Sequence, residues 1–305
     1  MKVVLSLPHA IRAFALQPEQ LAALQARHPQ LRLVVAAEES ELLAQLPDAE
    51  AALVWRFAKA WYPIAPKLRF VATPAAGREK VEADPSGRVR VIYGSFHGKI
   101  MAESLLAMVL YFTRRFDLAL ADQRAHRYGR DQYSTTRRLA GQRALIVGYG
   151  ALGRECARLL KAVGMHVVGV KRWPNGDTGP ADSVHAIEEL PRLLSEADHV
   201  IATLPGDTGA DHLFADAQFR AMRPTAGFYN LGRGNAVDEA ALLRALHSGA
   251  LAHAFLDVFE REPLPSDSPL WDAPNLALTP HASASNAEYL DLWFAELAPT
   301  LEALR

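Results

Sequence analysis

The chain has 305 residues, enough for two domains; half are hydrophobic and 22% are charged, an ordinary globular balance. Its 33 Lys and Arg against 34 Asp and Glu leave a formal net charge of −1, which excludes the electrostatic footprint of a nucleic-acid or membrane-surface protein. The single cysteine, Cys156, excludes an intramolecular disulfide, and no run of 18 apolar residues is available to span a membrane. The opening Met1-Lys2-Val3-Val4-Leu5 reads as a strand rather than a signal peptide, so a cytoplasmic protein is expected.

Short apolar runs alternate with helical patterns along the whole chain, which predicts an α/β protein with mainly parallel sheets. Strands are expected at 3–5, 31–35, 52–54, 70–72 and 89–92, with helices between them, for example at 18–27 and 38–46. A long helix is expected at 98–122. Its stretch from Met101 to Tyr111 is apolar nearly all round and should be buried. The segment 124–138 carries five arginines against one acid, with Tyr128 and Tyr133, and reads as an arm that packs on a second subunit. A homodimer is the expected assembly.

A second set of strands is expected at 144–147, 165–170, 199–203, 226–230, 252–257 and 276–279, with helices at 187–195, 215–221 and 239–249. The final stretch, 287–305, is helical and is expected to return to the first domain. The reading is therefore two doubly wound parallel-sheet domains. A dinucleotide-binding domain of Rossmann type, 98–282, is inserted in a discontinuous flavodoxin-like domain made of 1–97 and 283–305.

Gly148-Tyr149-Gly150-Ala151-Leu152-Gly153 lies between the apolar run Ala144-Leu145-Ile146-Val147 and a segment of helical period beginning at Arg154. Glycines spaced this way are a weak pattern alone and a strong one between strand and helix. Gly148 permits the tight turn, Gly150 lets a pyrophosphate approach the backbone, and Gly153 lets helix pack on strand. The helix N-terminus, at Ala151 and Leu152, then offers N–H groups and a positive dipole to phosphate. At the end of the next strand an NAD site usually has an acid for the ribose hydroxyls. Here stand Lys171 and Arg172, two cations suited to a 2′-phosphate. NADP is favoured as cofactor, with NAD the alternative.

Three later strand ends carry reactive side chains, and ligands of such sheets bind beyond the carboxyl ends of the strands. Asn230-Leu231-Gly232-Arg233-Gly234 follows one, Asp257 through Glu262-Pro263 the next, and Thr279-Pro280-His281 the last. A guanidinium can clamp a carboxylate through its planar fork. An imidazolium can give a proton to a carbonyl oxygen as hydride reaches carbon. A carboxylate beside the ring orients it and stabilises its charged form. Arg233 alone could be a turn residue, Glu262 a surface charge and His281 a cap. Together, after successive strands of one sheet, they read as a site for reducing an oxo acid. No metal-ligating set accompanies them.

These residues resemble the D-isomer-specific 2-hydroxyacid dehydrogenases, closest to their glyoxylate and hydroxypyruvate reductase branch. The resemblance runs from about residue 50 to 281. It rests on Met101-Ala102-Glu103, the glycine turn, Leu204-Pro205, the Asn230 to Gly234 and Leu256 to Pro263 stretches, and Pro269-Leu270-Trp271 before Pro280-His281. It implies an NAD(P)-dependent reductase of a small 2-oxo acid. Arg233 would orient substrate, His281 would act as acid and base, and Glu262 would be its partner. It further implies that Leu204, Pro205, Leu231, Gly232 and Asp257 line the cofactor site, with Asp257 by the nicotinamide carboxamide. Ala75, Ala76 and Gly77 would offer N–H groups to the substrate carboxylate, and Trp55 and Arg56 would line its pocket. The chain departs from the family at Lys171, where an acid is usual, and at Ala210, where a threonine often holds cofactor. It departs again at Arg78, where a smaller or apolar residue is usual. A second reading on the same fold is a cofactor-sensing, corepressor-like binding protein, which turnover would distinguish.

Overall fold

The structure, a computed structural model, describes residues 1–134, 136–206 and 209–303. The chain divides into two compact units, Met1–His97 with Ser285–Arg305, and Gly98–Ala284.

The first unit is built on β1 (Lys2–Ser6), α1 (Pro18–Arg27), β2 (Arg32–Val35), α2 (Glu39–Gln45), β3 (Ala51–Val54), β4 (Phe70–Thr73) and β5 (Arg90–Tyr93). All strand pairs are parallel, in the order β2-β1-β3-β4-β5. Parallel sheets are covered on both faces. The three inner strands accordingly read as unbroken buried runs, while the edge strands β2 and β5 are partly exposed. Pro18 opens α1, where its missing N–H costs no helix bond.

The second unit follows from α3 (His97–Thr113) and α4 (Phe116–Arg124). Then come β6 (Arg143–Val147), α5 (Ala151–Ala162), β7 (His166–Lys171), β8 (Ser183–Ala186), α6 (Leu190–Leu194), β9 (His199–Ala202) and α7 (Asp216–Ala221). The last elements are β10 (Gly227–Asn230), α8 (Glu239–Ser248), β11 (His253–Leu256) and β12 (Leu276–Leu278). Its seven strands are all parallel, in the order β12-β11-β10-β9-β6-β7-β8. The order reverses between β9 and β6, which makes their carboxyl ends the switch point where such sheets bind ligands. The terminal helix α9 (Tyr289–Glu302) belongs to the first unit. Its Leu290, Trp293, Leu297 and Leu301 pack into one core with Val3, Leu5, Leu53 and Phe70.

Two expectations are corrected. The helix anticipated at 98–122 is two helices, because Arg115 is left-handed (φ 57°) and its guanidinium grips Asp117 through two hydrogen bonds of 3.0 and 2.8 Å. From Met101 to Thr113 only Ala102, Leu105, Val109 and Phe112 are buried, a single stripe at helical spacing, not the whole circumference. The strand β8 has no counterpart among the expected strands. Its sequence Ser-Val-His-Ala alternates over only four residues, too short a run to mark a strand by itself, and its pairing with β7 supplies what that pattern leaves undecided. Among the described residues, no helix is long and apolar enough to cross a membrane.

Candidate active site

The glycine turn connects β6 to α5. The N–H groups of Gly148 and Tyr149 both donate to the Val170 carbonyl, at 3.0 and 2.9 Å, and the Thr203 hydroxyl donates to the Gly148 carbonyl at 2.9 Å. Gly148 has φ 97°, and a Cβ there would lie 2.8 Å from the Thr203 carbonyl carbon. A Cβ at Gly153 would lie 3.1 Å from Ile146 of the preceding strand. A Cβ at Gly150 would meet nothing closer than 3.9 Å, so space lies open in front of that backbone. Gly150 begins the 12-residue α5 without a side-chain cap. Bare backbone, open space and the first N–H groups of a helix, at Ala151 and Leu152, are what a dinucleotide pyrophosphate needs. The residues present fit that group.

Leu204 and Pro205 leave β9 on the other side of the switch point. The turn after β10 is packed onto them, since a Cβ at Gly232 would lie 2.5 Å from the Leu204 carbonyl oxygen. Leu231 is buried beside it. At the end of β7 the Lys171 ammonium donates to Asn175 Oδ1 at 2.7 Å, and the Arg172 guanidinium lies 5.3 Å from the centre of the exposed Trp173 ring. The acid further along this connection, Asp177, receives a hydrogen bond from Arg154 at 2.7 Å, which holds its carboxyl below the usual range.

The other three candidates sit after the adjacent strands β10, β11 and β12. Asn230 is fully buried. Its Oδ1 accepts from the Gly232 N–H at 3.1 Å and its Nδ2 donates to the Arg233 carbonyl at 3.0 Å, so it fixes the turn that presents Arg233. Arg233 Nη1 also donates to the Gly232 carbonyl at 3.0 Å. Asp257 is fully buried as well. Its carboxylate accepts from the Thr279 hydroxyl at 2.5 Å, the Ala282 N–H at 2.8 Å and the Ser283 N–H at 3.1 Å. Its carbonyl accepts from the His281 N–H at 2.8 Å. It therefore folds the turn bearing His281.

His281 Nδ1 and Glu262 Oε2 are 2.8 Å apart, and the second carboxylate oxygen of Glu262 accepts from the Phe259 N–H at 3.1 Å. With Nδ1 engaged by the carboxylate, Nε2 is the nitrogen left to exchange a proton with a ligand. The imidazole and carboxylate are about half and one third exposed (49% and 36%), open enough for a ligand to reach. Asn230, Thr279 and Thr203 stand in the sequence only as parts of a motif or as strand ends, and sequence reading does not mark them as supports. The available signal was a polar residue closing an otherwise wholly apolar strand, which in a buried sheet must find partners.

In the first unit, Trp55 and Arg56 follow β3, and Ala76 and Gly77 follow the neighbouring β4. The Trp55 indole N–H donates to the Phe14 carbonyl at 3.0 Å, and its ring stacks at 6.0 Å on Tyr289. Arg56 is exposed, 3.9 Å from Glu39. The Ala75 N–H donates to the buried Thr73 hydroxyl at 3.3 Å.

Residues 106–283 match the family described as D-isomer specific 2-hydroxyacid dehydrogenase, NAD binding domain. The chain is 31% identical over 295 residues to a D-3-phosphoglycerate dehydrogenase of Mycobacterium bovis, covering 94% of this chain and 55% of the relative. It thus spans about half the length of the phosphoglycerate dehydrogenases it matches. It is 33% identical over 260 residues to glyoxylate/hydroxypyruvate reductase B of Klebsiella pneumoniae, covering 83% of this chain and 77% of the relative. Among solved structures, a D-isomer specific 2-hydroxyacid dehydrogenase of Xanthobacter autotrophicus in complex with NADPH and MES is similar with a TM-score of 0.82 and 31% identity. That match covers 99% of this chain and 95% of the other.

Proposed function

The chain belongs to the D-isomer-specific 2-hydroxyacid dehydrogenase family, and from that premise we propose that it reduces a small 2-oxo acid, glyoxylate or hydroxypyruvate, to the D-2-hydroxy acid with NADPH. The observation that carries the reading is the 2.8 Å pair of His281 Nδ1 and Glu262 Oε2 on the sheet edge that also holds the glycine turn. When bound, the nicotinamide supplies the hydride that reaches the carbonyl carbon. Arg233 grips the substrate carboxylate through its fork and orients the carbonyl. His281 gives the carbonyl oxygen its proton from Nε2, and Glu262 steadies the imidazolium before that transfer. Asp257 and Asn230 hold the two turns that present these groups, with Asp257 assigned a second role at the nicotinamide. Trp55, Arg56, Ala76 and Gly77 are the substrate-binding residues assigned to the first unit.

The relative from Klebsiella supports the choice of substrates and Lys171 with Arg172 supports NADPH over NADH. The 55% coverage of the phosphoglycerate dehydrogenase makes D-3-phosphoglycerate the necessary control. The test is initial-rate spectrophotometry at 340 nm with glyoxylate, hydroxypyruvate and pyruvate, each with both cofactors, and oxidation of D-3-phosphoglycerate in reverse. Turnover of the first two with NADPH is expected. Tight cofactor binding without turnover of any oxo acid would overturn the enzyme reading and favour a cofactor sensor. A cytoplasmic homodimer is part of the proposal. Phe116, Leu120 and Tyr128, on α4 and the arm after it, are 53%, 42% and 91% exposed, an apolar surface for a second copy to cover. Light scattering on the purified protein reads the mass directly.

A further inference from the structure

The side chain between the first two glycines of the turn has no contact with a ligand in the reading above, yet it is 2% exposed and richly bonded. The Tyr149 ring lies flat on β7 at Gly169, where a Cβ would come within 2.6 Å of its Cγ. Its hydroxyl reaches past β7 into the connection between β7 and β8. There it donates to the Thr178 carbonyl at 2.8 Å and accepts from the Ala181 N–H at 2.9 Å. A second tie runs parallel to the first. Arg154, directly after the last glycine, donates to Asp177 Oδ2 at 2.7 Å, and its guanidinium lies 5.4 Å from the centre of the Tyr149 ring. Asp177 Oδ1 in turn accepts from the Gly179 N–H at 2.9 Å, which closes the loop on itself. The start of the same connection carries Lys171 and Arg172.

We infer that Tyr149 and the Arg154–Asp177 pair are positioning residues for cofactor choice: they bind the β7–β8 connection to the glycine turn, so that Lys171 and Arg172 are held ready for the phosphate on the adenosine ribose. This rests on the NADPH reading proposed above. The physical reason is the entropy of ordering. A surface connection of this length, left loose, loses backbone freedom when a ligand fixes it, and that loss weakens binding. Here the connection is already fixed at Asp177, Thr178 and Ala181 through the element that receives the pyrophosphate. NADPH gains from a preorganised pair of cations. NADH has no phosphate for them to meet, so it gains little from the same order.

Equilibrium titration of the whole protein with NADPH, NADH and 2′,5′-ADP, followed by intrinsic fluorescence and by calorimetry, tests this without turnover. Tyr149→Phe keeps the ring on Gly169 and removes only the hydroxyl. Asp177→Ala cuts the second tie at a surface position away from the glycine turn. Each variant should weaken NADPH and 2′,5′-ADP binding several-fold, roughly three to ten times, and change NADH affinity by less than twofold. Equal weakening of both dinucleotides would show a general structural role and overturn the inference, as would unchanged affinities. The unmodified protein separates this result from the reading beneath it. Tighter binding of NADH than NADPH would remove the cofactor assignment and the inference with it, whereas an NADPH preference that is undiminished in both variants overturns the inference alone.

Discussion

At His281 the backbone is left-handed (φ 52°) and its N–H donates to the Asp257 carbonyl, so the direction in which the imidazole leaves the turn is set by the main chain. Its Nδ1 is then engaged by Glu262. His281→Ala removes the proposed proton donor and should cut turnover by roughly two to four orders of magnitude, the span of general acid catalysis. Cofactor affinity, read by fluorescence titration, should stay within about twofold, and near-normal turnover would remove His281 from the mechanism. Arg233→Lys keeps the charge and loses the planar fork. The substrate KM should rise and kcat fall together, while kinetics equal to those of the unmodified protein would mean a diffuse charge suffices. Arg233, Glu262 and His281 were legible in sequence because each follows an apolar run that had to be a strand. The bracing by Asn230 and Asp257 was not, because it depends on full burial, which makes partners obligatory, and burial depends on the whole fold.

The β7–α5 region shows how an element can be read from one end and missed at the other. The expected strand ended at Val170 and the observed one at Lys171, so the two cations fall at the strand end in both. Beyond them, β8 escapes sequence reading because its alternation runs over only four half-buried residues, one of them a small alanine. The break between α3 and α4 was missed for a related reason: the apolar pattern continues through it, and one left-handed arginine, not a glycine or proline, ends the first helix. The cations make a prediction at this scale. Lys171→Asp with Arg172→Ala places a ribose acceptor where the proposed phosphate partners stand. Exposed charge pairs contribute up to about 1 kcal/mol each, so the loss should reach about fivefold per contact. The expected result is a rise in the KM for NADPH on the order of tenfold or more, with the KM for NADH unchanged or lower. An unmodified protein that already prefers NADH would show that these side chains serve the solvent alone.

For the molecule as a whole, the amino edge of the seven-stranded sheet controls stability against acid. The Gln142 side-chain Oε1 accepts from His199 Nε2 at 2.7 Å, His199 Nδ1 accepts from the Tyr229 hydroxyl at 3.0 Å, and Tyr229 in turn accepts from His253 Nε2 at 2.9 Å. With one ring nitrogen donating and the other accepting, His199 is neutral. His199 and Tyr229 are buried, and the half-buried His253 is stacked 4.2 Å from Phe112. Burial pushes His199 down to about 4, against a small opposing effect of Asp198, and His253 down to about 3, helped by His199 and Arg115. In the unfolded chain both titrate near 6.5. The folded values are depressed, so the unfolded state binds more protons as pH falls, and stability is full above 6.5 and declines below it. Between pH 7.5 and 5 the two groups together should cost about 4 kcal/mol, a large share of the ~5–15 kcal/mol that holds a domain together. Carboxylates held low by ion pairs, such as Asp122 and Asp182, lose their contribution only in more acidic solution, so this window belongs to histidine. His9 and His28 of the first unit shift the same way and would add to the slope, so a variant must isolate the network. His253→Gln retains an N–H for Tyr229 and removes one titration. Its stability at pH 7.5 should fall through lost stacking on Phe112, yet its further loss on going to pH 5 should be smaller than that of the unmodified protein by about 2 kcal/mol. Denaturant unfolding at the two pH values measures both quantities. An equal loss in the two proteins would mean that His253 already carries its proton in the folded state and that the network has opened to water.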